Sequence, residues 1–257
     1  MRVAYITHYA DLYGANRSLL ELVGEFKRRG VVEPFVLLPV HGPLVAELER
    51  MEVPYRIIPF ETRMVRRDRM GGPHHRFLQW WRQKLEASAR GSRNREQVPA
   101  IVDQVKAWRV HLVHANSSAV SIAPDVSSEA SLPLVWHIRE LLAAHYGFHP
   151  DEGRNKYGHA LRDADRLIAI SEAVRSDVLS YTSLLRPVEV IYNGILPRAR
   201  YAGLRAVAED RWHRPGPFTF AMVGLIHPSK GHVEALEALR LLVDEGADVR
   251  LIIAGDG

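Results

Sequence analysis

A histidine, an arginine and a carboxylate close the apolar run Leu134 to Ile138 in the segment Trp136-His137-Ile138-Arg139-Glu140. An imidazole can exchange hydrogen bonds with hydroxyl groups, a guanidinium can hold an anion and a carboxylate can orient a hydroxyl. Such a group at one strand end is the composition of a polar site and favours one over the alternative of a satisfied core histidine at His137. A second polar cluster, His114-Ala115-Asn116-Ser117-Ser118, also follows an apolar run. His111 and His114 are three apart on that strand, so they face opposite sides and cannot share a metal. Asn116 and its serines either meet a ligand or cap the next helix. The loop His8 to Ser18 holds the single glycine Gly14, so the dinucleotide fingerprint GxGxxG is absent. Gly14, Ala15 and Asn16 nevertheless open a helix whose free N–H groups suit an anion, or form an ordinary turn. The sharpest local pattern is Gly224-Leu225-Ile226-His227-Pro228-Ser229-Lys230-Gly231-His232. Gly224 permits close backbone approach, the helix start offers unpaired donors, and Lys230 beside Gly231 adds positive charge, which together suit a phosphate. Asp163-Ala164-Asp165 resembles a DxD metal motif but precedes a strand, at the end away from a cleft, so it reads as turn chemistry and no metal ligand set is expected.

These residues need elements to place them. Seven short apolar runs (2–7, 34–40, 55–59, 110–114, 134–138, 166–170 and 188–192) read as buried parallel strands. Helical spacing over 18–29, 43–51, 95–108 and 171–181 supplies crossover helices, giving an α/β array. In open parallel sheets, ligands bind beyond the carboxyl ends of the strands, where the clusters above fall. Residues 1–196 form this first Rossmann-like domain, and the Arg-, Ala- and Pro-rich residues 197–216 read as a linker. Residues 217–257 begin a second array, with strands 218–223 and 249–254 around a helix over 233–243. One βαβ piece cannot cover both sheet faces, so the second domain is expected to be incomplete.

The chain has 257 residues, 47% hydrophobic and 25% charged, and no cysteine. That excludes disulfides, zinc-thiolate and iron–sulfur sites and a cysteine nucleophile. With neither a signal-peptide succession nor a bilayer-spanning apolar run, a cytoplasmic location is expected. The net charge is +4, yet residues 61–96 alone carry ten basic against four acidic groups. The remainder is slightly acidic, so a local anionic partner fits better than nucleic acid. Between Arg63 and Arg95, helical spacing puts Phe77, Trp81 and Leu85 on one face. They either dock on the sheet or rest on an anionic membrane surface.

Taken in order, the Gly-Ala loop at 14–15, HAN at 114–116, WHIRE at 136–140, ADRLIAIS at 164–171, VIYNGI at 190–195, VGLIHPSKGH at 223–232 and VRLIIAGDG at 249–257 resemble the GT-B glycosyltransferases, specifically family 4. The resemblance implies an α/β fold of GT-B type, with acceptor-side and nucleotide-sugar domains. It implies a nucleoside diphosphate sugar donor, a carbohydrate or lipid-linked acceptor, retention of anomeric configuration, and no metal or cofactor. It places His137 near the transferred sugar, Gly14, Ala15, Asn16, Asn116, Arg139 and Glu140 on the acceptor side, and Gly224, Lys230 and Gly231 at the diphosphate. The chain departs from the family pattern at Leu225, where arginine is common, and at Leu196, where aspartate often follows Asn-Gly-Ile. No counterpart of the paired-glutamate segment occurs, which implies a chain inactive by itself. Alternatives are a sugar-nucleotide epimerase of the same architecture, or a noncatalytic module binding anionic ligands or membranes. A nicotinamide enzyme lacks its glycine fingerprint.

Overall fold

The computed structural model describes residues 1–66, 73–142, 147–182, 187–194, 196, 198–212, 216–227 and 230–255. The chain divides into two compact units, Met1–Ile195 and Leu196–Gly257.

In the first unit all seven expected strands form one parallel sheet: β1 (Arg2–Ile6), β2 (Glu33–Leu38), β3 (Tyr55–Ile57), β5 (Leu112–Ala115), β6 (Leu134–Ile138), β8 (Arg166–Ala169) and β9 (Val188–Val190). Their order is β3-β2-β1-β5-β6-β8-β9. The chain therefore winds outward from β1 in one direction and from β5 in the other, which opens a crevice where β1 and β5 adjoin. A short antiparallel pair, β4 (Met64–Arg66) with β7 (Phe148–Pro150), was not legible in the sequence.

Each sheet face has its own core. Alternation along β1 sends Val3 and Tyr5 to one face and Ala4 and Ile6 to the other. Val3 and Tyr5 pack with Leu19 and Val23 of α1 (Gly14–Arg28) and Leu44 and Leu48 of α2 (Pro43–Arg50). Ala4 and Ile6 share the opposite core with Ile101 and Val105 of α3 (Pro73–Ala107), Val126 of α4 (Ala123–Ala130), Leu161 of α5 (Arg154–Asp163) and Val178 of α6 (Glu172–Tyr181). Ser171 caps α6 by accepting from the Val174 N–H, as a serine before a helix should. At Gly158 a Cβ would stand 2.6 Å from the Tyr181 carbonyl, so glycine there sets how closely α5 approaches α6.

Helix α3 runs over 35 residues, far beyond the stretch legible from periodicity, and carries Pro99 inside. Only its C-terminal part shows a core-facing stripe. Trp81 is 49% and Leu85 65% exposed, so they do not dock on the sheet; the side chain of Phe77 lies outside the described residues. Part of the basic segment is also spent internally. Arg90 forms a two-pronged pair with buried Asp151 at 2.8 and 2.9 Å, Arg93 pairs with Glu61, and Arg63 with Asp125. Arg82 and Lys84 stay exposed.

The second unit contains α7 (Arg198–Trp212), a parallel pair β10 (Phe218–Val223) and β11 (Val249–Ala254), and α8 (His232–Asp244). The segment read as a linker is thus mostly helical, in keeping with the helix propensity of its Arg and Ala. No residue of α8 is buried, and both strands are exposed or half-exposed along their length.

Candidate functional site

The residues after β1, β5, β6 and β9 converge at the crevice where β1 and β5 adjoin. Arg139 is its centre. Only 7% exposed, it donates from Nε to Asn116 Oδ1 at 3.0 Å and from Nη1 to Ser18 Oγ at 2.9 Å and Asn193 Oδ1 at 2.8 Å. Its Nη2 lies 3.3 Å from His137 Nδ1. A guanidinium has no acceptor, so Nδ1 of His137 must accept and the ring proton sits on Nε2. That Nε2 is buried and has no hydrogen-bond partner among the described residues. Burial, reinforced by the Arg139 charge, drives the His137 pKa down to about 2 and keeps the ring neutral. His114 behaves alike: buried, lowered to about 3, its Nε2 unpartnered and its ring 5.6 Å from that of His137. Burial also lowers Arg139, to about 10, which leaves it a cation at neutral pH. Its bonds go to neutral groups, and among the described residues no carboxylate forms an ion pair with it. The nearby Glu140 carboxylate supports its charge through space, and a buried guanidinium of this kind is a receptive place for an anion.

The other expected residues are brought here but differ in freedom. Asn16 is fully buried and its amide is consumed, taking the Thr7 hydroxyl at 2.6 Å and donating to the Tyr9 and Asp11 carbonyls. It therefore shapes the β1 loop. Asn116 joins two elements, accepting from Arg139 and donating to the Ala15 carbonyl at 3.2 Å. Glu140 accepts from the Ser118 N–H and hydroxyl at 3.1 and 2.7 Å. Gly14 and Ala15 start α1 without a side-chain cap, and no atom lies within 4 Å of a Cβ built on Gly14. First-turn N–H groups there keep their donors free. A hollow of about 800 Å³ runs past Gly14, Ser18, Asn193 and Gly194.

Sequence reasoning missed His8, Ser18 and Asn193, and left Ser118 open between a ligand contact and a helix cap. Asn193 stood in the quoted VIYNGI run just beyond a strand, and Ser18 one helical turn after Gly14, so placement at strand ends was the available signal. Burial holds His8 down to about 4, against the opposing pull of the Glu140 carboxylate. Asp165 of the DxD pattern accepts the Leu134 N–H at 2.9 Å, at the far end of the strands. Among the described residues, no three histidine, aspartate or glutamate side chains form a metal-ligand group.

In the second unit Gly224 ends β10, Lys230 is exposed, and Gly231 precedes α8 with φ of 74°, a left-handed conformation that favours glycine. A Cβ on Gly255 would collide with the Gly224 carbonyl, so the ends of β10 and β11 touch backbone to backbone.

Residues 13–197 match the family model of Glycosyltransferase Family 4. The chain belongs to that family. The match to Glycosyltransferase Family 4 covers nearly all of the first unit, including every residue that meets Arg139. No curated protein sequence matches the chain. Among solved structures, it is similar to HepE of Anabaena, determined with UDP-glucose and with UDP and glucose, at a TM-score of 0.65 and 19% identity, covering 100% of this chain and 61% of HepE. A glycosyltransferase from Rickettsia africae matches at 0.63 and 16% identity, covering 99% and 60%. MurG of Acinetobacter baumannii matches at 0.51 and 11%, covering 99% and 67%. The fold of this family 4 chain is α/β of GT-B type, and it spans about three fifths of the length of HepE. Among the described residues, no helix is long and apolar enough to cross a membrane.

Proposed function

We propose that the protein takes part in transfer of a sugar from a nucleoside diphosphate donor to an acceptor hydroxyl, with retention at the anomeric carbon and without a metal or cofactor. One observation carries the reading: a buried Arg139, hydrogen-bonded to neutral groups, fixes His137 as a neutral Nε2–H donor at the crevice of a family 4 chain. HepE, bound to UDP-glucose, supports a nucleoside diphosphate sugar as donor.

In such a transfer the bond from the anomeric carbon to the diphosphate oxygen breaks and a bond to the acceptor oxygen forms. The hydroxyl proton leaves with the nucleoside diphosphate. Catalysis then rests on holding negative charge and positioning the hydroxyl. His137 Nε2–H donates to a sugar hydroxyl, Arg139 and the α1 start face negative charge, and Glu140 orients acceptor groups through the Ser118 corner. Lys230, between Gly224 and Gly231, holds the diphosphate. The acceptor is a carbohydrate or a lipid-linked one. A lipid-linked acceptor is favoured by the exposed Trp80, Trp81 and Leu85 beside Arg82 and Lys84, a combination that seats on an anionic membrane surface.

Incubating the protein with UDP-glucose, with and without acceptor sugars and with chelator, and identifying products by mass spectrometry tests the reading. Glycosylated acceptor formed in the presence of chelator supports it. An isomerised nucleotide sugar in the absence of acceptor would instead identify an epimerase.

A further inference from the structure

The start of α1 departs from what a helix start ordinarily carries. Acids are favoured there and cations disfavoured, because the unpaired N–H groups make that end positive. Helix α1 has no acid in its first turn and no side-chain cap, and its fourth residue is Arg17. Its first helical bond runs from the Arg17 N–H to the Tyr13 carbonyl, so the N–H groups of Gly14, Ala15 and Asn16 have no helical acceptor. Gly14 is exposed and carries no side chain over this backbone. Arg17, also exposed, donates from Nε to the Leu12 carbonyl at 2.6 Å and forms no ion pair among the described residues, so its Nη groups are unspent.

A second cation reaches the next residue of the helix. Of the five N–H groups of Arg139, four are engaged by Asn116, Ser18, Asn193 and His137, and one on Nη2 remains. Asn193 Oδ1 accepts from both Ser18 and Arg139, while its exposed amide nitrogen has no acceptor among the described residues. The His137 Nε2–H, in a side chain more than nine-tenths buried, has none either. Gly14, Arg17, Ser18, Asn193 and Gly194 border one hollow. Glu25 and Glu47, which line it further along, are spent on Arg28, Arg29 and Arg50, and Glu21 lies a turn beyond Arg17. Two cations, an open helix start and spare N–H donors suit a phosphate. In the proposed transfer the donor's diphosphate is held by Lys230 in the second unit, whereas every group here belongs to the first. We propose that the start of α1, with Arg17 and the Arg139 clasp, seats a phosphate group carried by the acceptor. The assignment to an acceptor rests on the transferase reading; the anion site does not.

Amide chemical shifts of the whole chain, titrated with inorganic phosphate at constant ionic strength and again with UDP present at saturation, test this. Phosphate should saturably shift the amides of Gly14, Ala15 and Ser18, with an affinity unchanged by UDP and in Lys230→Ala. Arg17→Gln should weaken it by about tenfold, the loss of one charge-assisted hydrogen bond, and Arg17→Lys should retain most of it. Arg17 is exposed, and melting temperatures near the parent value show that both variants fold. No saturable shift at those amides, or full affinity in Arg17→Gln, would overturn the site. Displacement of phosphate by UDP, or its loss in Lys230→Ala, would give the phosphate to the donor and overturn the acceptor assignment. An isomerised nucleotide sugar in the product assay would leave phosphate binding in place and overturn only that assignment.

Discussion

Arg139 acts by what it lacks as much as by what it holds. Replacing it with Met removes donors that Asn116, Asn193 and Ser18 accept from and leaves the fully buried Asn116 oxygen unpaired. Arg139→Met should therefore lower stability by about 3 kcal/mol in urea unfolding, in the range for breaking a buried charged network; a loss below about 1 kcal/mol would contradict the hub. The histidines give a pH signature. His114 and His137 are held neutral when folded, with pKa values of about 3 and 2, but take up protons near 6.5 once unfolded. The unfolded state thus binds more protons below pH 6.5, and stability falls as pH drops toward the folded values. Between pH 7.5 and 5.5 each ring should cost about 1.4 kcal/mol. Urea midpoints measured at both values should show it, with His114→Gln removing about half of the His114–His137 share of the slope. In the second unit, Lys230→Ala should weaken UDP binding by about 1.5 to 3 kcal/mol, the value of a hydrogen bond to a charged group. Unchanged affinity in calorimetry would remove Lys230 from the diphosphate role.

Elements explain why some of this was readable and some was not. The seven parallel strands are short, β-branched and buried on both faces, a pattern that survives without tertiary information, and the polar clusters betrayed themselves by following those strands. The helices α4 and α5 escaped because their stripes are short, and the β4–β7 pair because three-residue strands carry no period. Helix α3 misled in the other direction: helical spacing of Trp81 and Leu85 says only that they share a face, not that anything covers it. Asn16 shows the same limit, since a small polar residue at a helix start reads alike whether it meets a ligand or staples its own loop. Two substitutions test the packing. Gly158→Ala forces a methyl against the Tyr181 carbonyl and should destabilise by about 1 to 3 kcal/mol, the usual cost of overpacking. Trp81→Gln should change stability by less than about 0.5 kcal/mol, as an exposed position does, while reducing salt-sensitive flotation with anionic vesicles. A large stability loss in that variant would mean the ring is docked after all.

At the scale of the whole chain, the buried core belongs to one unit. Among the described residues, all of the buried hydrophobic ones lie between Val3 and Val188, whereas α8 buries none. Amide hydrogen exchange in the 257-residue chain should accordingly be slowest in β1, β2, β5 and β6 and much faster in β10, β11 and α8. Equal protection in the two units would contradict this division. The clasp around Arg139 also has a history. Ser18 donates to Asn193 at 3.1 Å although 175 residues separate them. A chain emerging from the ribosome therefore carries the crevice as an open circuit, its Arg139 guanidinium short of an acceptor, until residue 193 is free to close it.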